Sequence, residues 1–304
     1  MGRQVAILLA TFQGARFLSQ QLESLAAQTH PDWVLYWRDD GSRDESAEMV
    51  RSFAPERLRP RPGPQRRLGP AGNFLFLLGE AVRDPDNAYF AFCDQDDIWR
   101  SDKLERAVRR LEQEPAGECL LYCAGAEIVD ENLRSLGFIS SPATVPAFPA
   151  SLTENIAPGC TIVLNRKAAE LIARSDPPPE ILHDWWSYSL VSGAGGTILT
   201  DPEPVVRYRQ HGANVIGAPR SPLLRIRRAL ARGAKGFMTL FRAHVRGLRR
   251  NADLLSQAAR RDIEAIGGAL EDGLPGRLRL LLWRGLRRRR PLETLLFRIW
   301  ILIG

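Results

Sequence analysis

The chain has four cysteines in 304 residues, at positions 93, 119, 123 and 160, and no two of them form a CxxC pair. Each sits in an apolar stretch and reads as a reduced core thiol of a cytosolic compartment, which argues against a disulfide scaffold or a zinc site. Phosphate-binding glycine loops are missing too. GxxxxGK[ST] does not occur, and the turn after the first apolar run is Thr11-Phe12-Gln13-Gly14 in place of GxGxxG, so a P-loop NTPase or a dehydrogenase is disfavoured. There is no internal repeat and no low-complexity tract. The apolar core of MGRQVAILLATFQG is too short for a secretory leader, and the last run, Leu295 to Ile303 with Arg298 inside it, falls well short of the ~20 residues a spanning helix needs.

With 44% apolar residues the chain can bury a real core, as one large domain or two ordinary ones. Its formal charge of +7 is unevenly spread. Residues 220–304 hold 20 Lys and Arg against 6 Asp and Glu, a net of +14, whereas residues 1–219 hold 22 against 29, a net of −7. An acidic body, 1–219, precedes a basic tail, 220–304, with the break at Gly217-Ala218-Pro219-Arg220-Ser221-Pro222. The run Arg287 to Arg290 raises a nucleic-acid-binding reading, but the tail has few interleaved aromatics and no nucleic-acid motif.

Along the body, strands alternate with helices. Val5 to Ala10 is a continuous apolar run suited to a strand buried on both faces; a helix fits Arg16 to Gln28, with Phe17, Leu18, Leu22, Leu25 and Ala26 on one face. Trp33 to Arg38 makes a second strand ending in Asp39-Asp40-Gly41-Ser42; Ser46 to Phe53 and Gly72 to Val82 follow as helices, and Tyr89 to Cys93 as a further strand. This order predicts an α/β fold with a Rossmann-like, mostly parallel central sheet flanked by helices. Ligands of such sheets bind at the carboxyl ends of strands, which brings Thr11, Asp39, Asp40 and Asp94 to Asp97 toward one crevice. Asp94, Asp96 and Asp97 crowd the end of an apolar strand, and their mutual repulsion calls for a cation. Oxygen donors in that number suit Mg²⁺ or Mn²⁺ bridging a diphosphate.

An ordered series of segments carries a family resemblance: TFQGARFLSQQLESLAAQTH, DWVLYWRDDGSRDES, FCDQDDIW with Lys103-Leu104, ENIAPGCTIVLNR, HDWW and YRQHGANVIG, together spanning residues 4 to 217. In this order the chain resembles a family 2 glycosyltransferase of the GT-A fold, in its rhamnosyltransferase-like branch. The resemblance implies that Thr11 and Asp40, with Phe12, Asp39, Gly72, Asn73 and Asp94, hold the nucleotide; Gly69 falls in the same loop. It implies metal ligation by Asp94, Asp96 and His211. Asp97, Trp99, Asn155, Gly159, Cys160, His183, Trp185 and Arg209 are placed near the sugar, acceptor or diphosphate. Asp184 of HDWW is implied as the general base, and Ala213 departs from the Asn that many relatives carry there.

Several residues also have plain structural readings. Asp39 suits a turn or helix cap, Gly72 and Asn73 a helix start, Gly159 a tight turn, and Asp184 the cap of a helix with Trp185, Trp186 and Tyr188 in a core. The resemblance implies an inverting, metal-dependent transfer of a sugar, rhamnose from dTDP-rhamnose, to a hydroxyl of a lipopolysaccharide, O-antigen or exopolysaccharide precursor. A UDP-hexose or UDP-hexosamine donor is the alternative, since uracil and thymine differ by one methyl. In the tail, Leu223, Ile226, Leu230, Phe237, Leu240, Phe241 and Val245 fall on one helix face with arginines on the other. That pattern predicts peripheral attachment to the cytoplasmic leaflet of the plasma membrane, against a helical subdomain or a homo-oligomer contact.

Overall fold

The computed structural model describes residues 3–212 and 222–304, with 222–232 described by their backbone alone. The elements run β1 (Gln4–Thr11), α1 (Ala15–Ala26), β2 (Trp33–Asp39), α2 (Ser46–Ser52), β3 (Leu58–Pro60), α3 (Gly69–Ala81), β4 (Asn87–Cys93), β5 (Ile98–Trp99) and α4 (Lys103–Glu112). There follow β6 (Leu120–Val129), β7 (Ser135–Ile139), β8 (Val163–Asn165), α5 (Arg166–Ala173), α6 (His183–Gly193) and β9 (Thr197–Arg209). Helices α7 (Pro222–Arg250), α8 (Gln257–Glu271), α9 (Gly273–Leu281) and α10 (Pro291–Ile303) complete the chain.

The chain divides into two compact units. The first takes in Met1–Ala143, Ala157–Arg174 and the stretch beginning at Thr197, and it contains the whole sheet. Strand order is β3-β2-β1-β4-β8-β6-β9-β5, with β7 beside β6. From β3 to β4 all pairs are parallel, as the strand-helix alternation predicts. Beyond β4 the sheet is mixed: β8 is antiparallel to β4 and β6, β5 is antiparallel to β9, and only β6 and β9 run parallel. No helix of this unit intervenes between β6 and β8, so no crossover turns the chain back into parallel register.

The apolar run of β1 buries Val5 to Leu9 completely, which its central place between β2 and β4 requires. Leu18, Leu22 and Leu25 of α1 pack into the same core, whereas Ala26 is exposed and Phe17 half-buried. The chain reverses sheet direction on either side of β1, with β2 and β3 on one side and β4 on the other. The carboxyl ends of β1, β2 and β4 therefore deliver Thr11, Asp39 and the DQDD turn to one rim, with Thr11 in register with Asp39 and Leu9 with Cys93.

The second unit combines Thr144–Ile156 and Ser175–Gly196 with the C-terminal helices. This redraws the expected division: α6 and the segment Thr144–Ile156, which carries Asn155, belong with the basic tail. The expected break at 217–222, apart from Pro222 at the start of α7, and the residues Ala213 and Asn214 lie outside the described residues. The unit has its own core. Phe237, Phe241 and Val245 of α7 are buried and Leu240 half-buried, while Leu223, Ile226 and Leu230 are not among the described side chains. Phe237 packs edge-on against Phe297 of α10 and tilted against Trp300, with ring centroids 5.5 and 5.1 Å away, and each such buried aromatic contributes roughly 1.5–3 kcal/mol. Glu154 is 9% exposed and takes the Nε and Nη2 of Arg289 at 3.0 and 2.7 Å, so part of the RRRR run is an internal tie. At Gly233 the backbone (φ 69°, ψ 171°) leaves helical geometry and kinks α7, a conformation that costs glycine little.

Candidate active site

Two aspartates end β2, and their environments separate their roles. Asp39 accepts from Thr11 Oγ1 at 2.9 Å and Ser42 Oγ at 2.5 Å on one oxygen, and from the Gly41 and Ser42 amides at 3.0 and 2.7 Å on the other. Four donors fill a carboxylate, so Asp39 is the turn-forming residue. Asp40 accepts from Arg38 Nη1 at 2.7 Å and the Leu68 amide at 2.8 Å on Oδ1, and from the Gly69 amide at 2.8 Å on Oδ2. That leaves one acceptor position on Oδ2. Burial by itself raises the Asp40 pKa, but the Leu68 amide, Arg38 and the Gly69 amide outweigh it and hold the carboxyl below its ordinary value.

The Arg38–Asp40 pair is buried on both sides, with side chains 6% and 3% exposed. Arg38 also donates to Asn73 Oδ1 at 3.0 Å and to the Pro64 carbonyl at 2.8 Å. Asn73, expected to touch the nucleotide, is buried and spends its amide on Arg38, and Gly72 abuts Leu68 within the start of α3. Thr11 is 1% exposed and its hydroxyl is committed to Asp39 and to Trp37 Nε1, at 2.9 Å each. Phe12 is half-buried with the Arg67 guanidinium 3.6 Å from its ring centroid, a cationic neighbour that the glycine and asparagine signals of that loop had not marked.

Gln95, the residue between the two acids of the DxD element, also went unmarked. Its side-chain amide pairs both ways with the Phe12 backbone, accepting from the N–H at 2.8 Å and donating to the carbonyl at 3.0 Å. The β1 turn and the DQDD turn are thereby clamped together. A Cβ at Gly14 would overlap that amide, which is why TFQG ends in glycine.

Asp94 and Asp96 are half-buried, and Asp97 is fully buried. Asp96 Oδ2 lies 2.7 Å from His211 Nε2, and the Asp96 carbonyl accepts from Arg209 Nε at 2.9 Å. Arg209, expected to pair with phosphate, is 1% exposed and donates also to the Glu131 carbonyl at 2.8 Å and Gln20 Oε1 at 2.5 Å, with Phe17 beneath its guanidinium. Its role is to brace the DxD turn. Asp97 accepts the Arg209 amide at 3.0 Å on Oδ1, and its Oδ2 has no hydrogen-bond partner. Burial, then Asp96 and Asp94, raise its pKa well above the carboxylate range. Asp97 therefore does not reach a sugar from this position.

Trp99 and Cys160 are corrected in the same way. Trp99 is 3% exposed and its ring carries the Lys103 ammonium 3.0 Å from the centroid, while the Cys160 carbonyl accepts from Lys103 Nζ at 2.7 Å. Burial pushes the Lys103 amine down to about 7. Gly159 opens the 3₁₀ turn Gly159–Thr161 that leads into β8.

Among the described residues, the ligand atoms of Asp94, Asp97 and Cys160 converge within 4.8 Å, but two of the three are buried, and the set includes a thiol and a carboxyl whose pKa values burial pushes up. Mg²⁺ and Mn²⁺ prefer anionic oxygens, which Asp94 and Asp96 offer at the same turn with His211 2.7 Å from Asp96, although the ligand atoms of these three do not converge as that set does.

In the second unit Asp184 stands in the first turn of α6, accepting the Trp185 amide at 2.6 Å and Asn155 Nδ2 at 3.0 Å. The N-cap of α6 is Leu182 with no side-chain cap, so Asp184 is not the helix cap its position suggested, and the contact with Asn155 was not expected. Trp185 donates its indole N–H to the Ser151 carbonyl at 2.7 Å and packs tilted against His244, ring centroids 4.6 Å apart. His183 is buried and burial pushes its imidazole down to about 3.

This assembly of acidic turns on the carboxyl rim of a mixed α/β sheet is that of a GT-A glycosyltransferase, and the chain belongs to glycosyl transferase family 2, whose model matches residues 6–168. It is 26% identical over 223 residues to the dTDP-rhamnosyl transferase RfbG of Shigella flexneri, covering 69% of this chain and 74% of that one. The chain spans between 64% and 74% of the length of the first curated relatives it matches. In three dimensions it resembles S. aureus TarS 1-349 in complex with UDP-GlcNAc (TM-score 0.59, 14% identity, 87% of this chain and 71% of that one). It also resembles the mannosyltransferase PcManGT from Pyrobaculum calidifontis in complex with GDP-Man and Mn²⁺ (TM-score 0.51, 18% identity, 98% and 87%).

Proposed function

We propose that the chain is an inverting, metal-dependent transferase that moves rhamnose from dTDP-rhamnose to a hydroxyl of a cell-surface glycan precursor. The observation that carries the reading is the meeting of Asp96 and His211 at the rim where Thr11, Asp39 and Asp40 also end. Asp40 keeps one acceptor position for the N3–H of thymine or uracil, and Arg67 beside Phe12 adds a cation at the same rim. Asp94, Asp96 and His211 would hold Mg²⁺ or Mn²⁺, which when bound neutralises the charge of the departing diphosphate.

The acceptor hydroxyl loses its proton to the Asp184 carboxylate as its oxygen bonds to the sugar's anomeric carbon. The bond from that carbon to the diphosphate oxygen breaks, and the electron pair leaves with the nucleoside diphosphate. Asn155 holds Asp184 Oδ2, which keeps the other oxygen's direction fixed. The similarity to RfbG favours dTDP-rhamnose. A UDP-sugar is the second reading, favoured by the TarS fold match, because nothing in the Asp40 set reads the methyl that separates thymine from uracil. The acceptor is a lipid-linked glycan at the inner face of the plasma membrane, with the basic tail on the bilayer. Calorimetric titration with dTDP, UDP and GDP, with and without Mn²⁺, tests the donor site; folded protein that binds none of them would sink the transferase reading.

A further inference from the structure

Large exposed apolar side chains concentrate in one part of the second unit. Of the eight such residues among the described residues, only Phe138 lies elsewhere. Leu274, Leu278 and Leu282 recur every fourth residue along α9 and its cap, opposite the buried Gly276 and Leu280. On α10, Leu292, Leu295, Ile299 and Ile303 follow at helical spacing, while Phe297, Trp300 and Ile301 face the core. The two helices adjoin, and Arg277 of α9 donates to the Leu302 carbonyl of α10 at 3.0 Å. A helix apolar on both its core and its outer face is not patterned for water, and a stripe of this size needs an occupant where a scattered leucine would not.

Charge identifies the occupant. Residues 273–304 contain eight arginines and a single acid, Glu293. Arg288 pairs with Glu293 at 3.2 Å, Arg289 with Glu154, and Arg279 with Asp272. Arg284, Arg287, Arg290 and Arg298 remain exposed and meet no carboxylate among the described residues. A second copy of the same face would set arginine against arginine, whereas phosphates of anionic lipids neutralise them. Neither α9, with nine residues, nor α10, with thirteen, is long enough to cross a bilayer.

We propose that α9 and α10 form a monotopic membrane-binding face. They lie in the headgroup plane of an anionic bilayer, with the two leucine and isoleucine stripes at the acyl boundary and the four arginines on lipid phosphates. The proposal rests on the peripheral-membrane part of the functional reading and is independent of the donor. The test is flotation of the full chain with vesicles of phosphatidylglycerol and phosphatidylcholine, against phosphatidylcholine alone, for the natural protein and for Leu282→Glu/Leu295→Glu. Both positions are exposed, so the melting temperature should not move. Binding only to the anionic vesicles, weakened about tenfold or more in the double variant, is the expected result. If the variant floats as well as the natural protein, this face is overturned and the membrane reading stands on another surface. A natural protein that binds neither vesicle overturns the membrane reading and the face together. If light scattering shows a dimer that the variant dissociates, the face belongs to a second copy.

Discussion

The imidazole Nε2 of His211 lies 2.7 Å from Oδ2 of Asp96, two residues 115 positions apart in the chain. A carboxylate and an imidazole so close either share a proton or share a cation. For the divalent-ion reading, Asp96→Asn should abolish metal-dependent binding of dTDP or UDP. His211→Ala should weaken it about 10- to 100-fold, since it removes a ligand or the group that orients one. Titration calorimetry with and without Mn²⁺ reads both, and metal-dependent binding unchanged in His211→Ala would remove that residue from the metal site.

Gly14 and Gln95 form a second coupled pair. Gly14→Ala forces a methyl into the Gln95 amide and should cost about 1–3 kcal/mol as an overpacked site. Gln95→Ala gives up two hydrogen bonds to Phe12, for about 1–2 kcal/mol. In the double variant the methyl occupies space the amide has left, so the two losses should fall short of additive. Denaturant unfolding of the four proteins measures the coupling, and strict additivity would mean that the clamp does not exist in solution.

The strands that build the acidic rim were legible because their sequences are one-dimensional signals: continuous apolar runs in β1, β2 and β4, each ending in polar turn residues. Motif order likewise located the acidic turns and the start of α6. What it did not supply was the direction in which a side chain points. Arg209, Asp97, Trp99 and Cys160 stand in the right segments, yet each faces inward, because β9 pairs with β5 and β6 and carries Arg209 under the DQDD turn. That juxtaposition depends on a sheet order that no local pattern encodes. Charge hid the tail's structure in the same way: Arg289 counts toward a basic surface in the sequence but is spent on Glu154 in the fold.

Two buried histidines of the second unit set a pH dependence of stability. Burial pushes His183 down to about 3 and His244 to about 4, from an ordinary 6.5. Folded, both stay neutral where the unfolded chain already binds protons, so stability is complete above pH 6.5 and falls as the pH drops toward 4. Asp40, whose pKa is depressed from 3.8, loses its contribution only below that value and does not share the window. Denaturant unfolding at pH 7 and pH 4.5 should differ by on the order of 2–3 kcal/mol per histidine. Asp97, raised by burial, works in the opposite sense over the same window, so the histidine contribution is read by difference. His244→Phe should lose less stability between the two pH values than the natural protein, and an identical pH dependence in the variant would contradict the buried neutral state of His244.

Asp184 is the residue on which transfer and donor binding should separate. In the proposed role of general base it would act on the acceptor's proton and not on the nucleotide, so Asp184→Asn should lower kcat by about 10²- to 10⁴-fold while leaving the calorimetric affinity for dTDP or UDP unchanged. Asn155→Ala removes the donor held at 3.0 Å from Asp184 Oδ2. Its loss frees the carboxylate's direction and should lower kcat less than Asp184→Asn does, again with donor affinity unchanged. A variant that merely destabilised α6 would lose melting temperature, so an unchanged melting temperature separates the two. An Asp184→Asn protein that transfers sugar at the natural rate would assign the proton to another group.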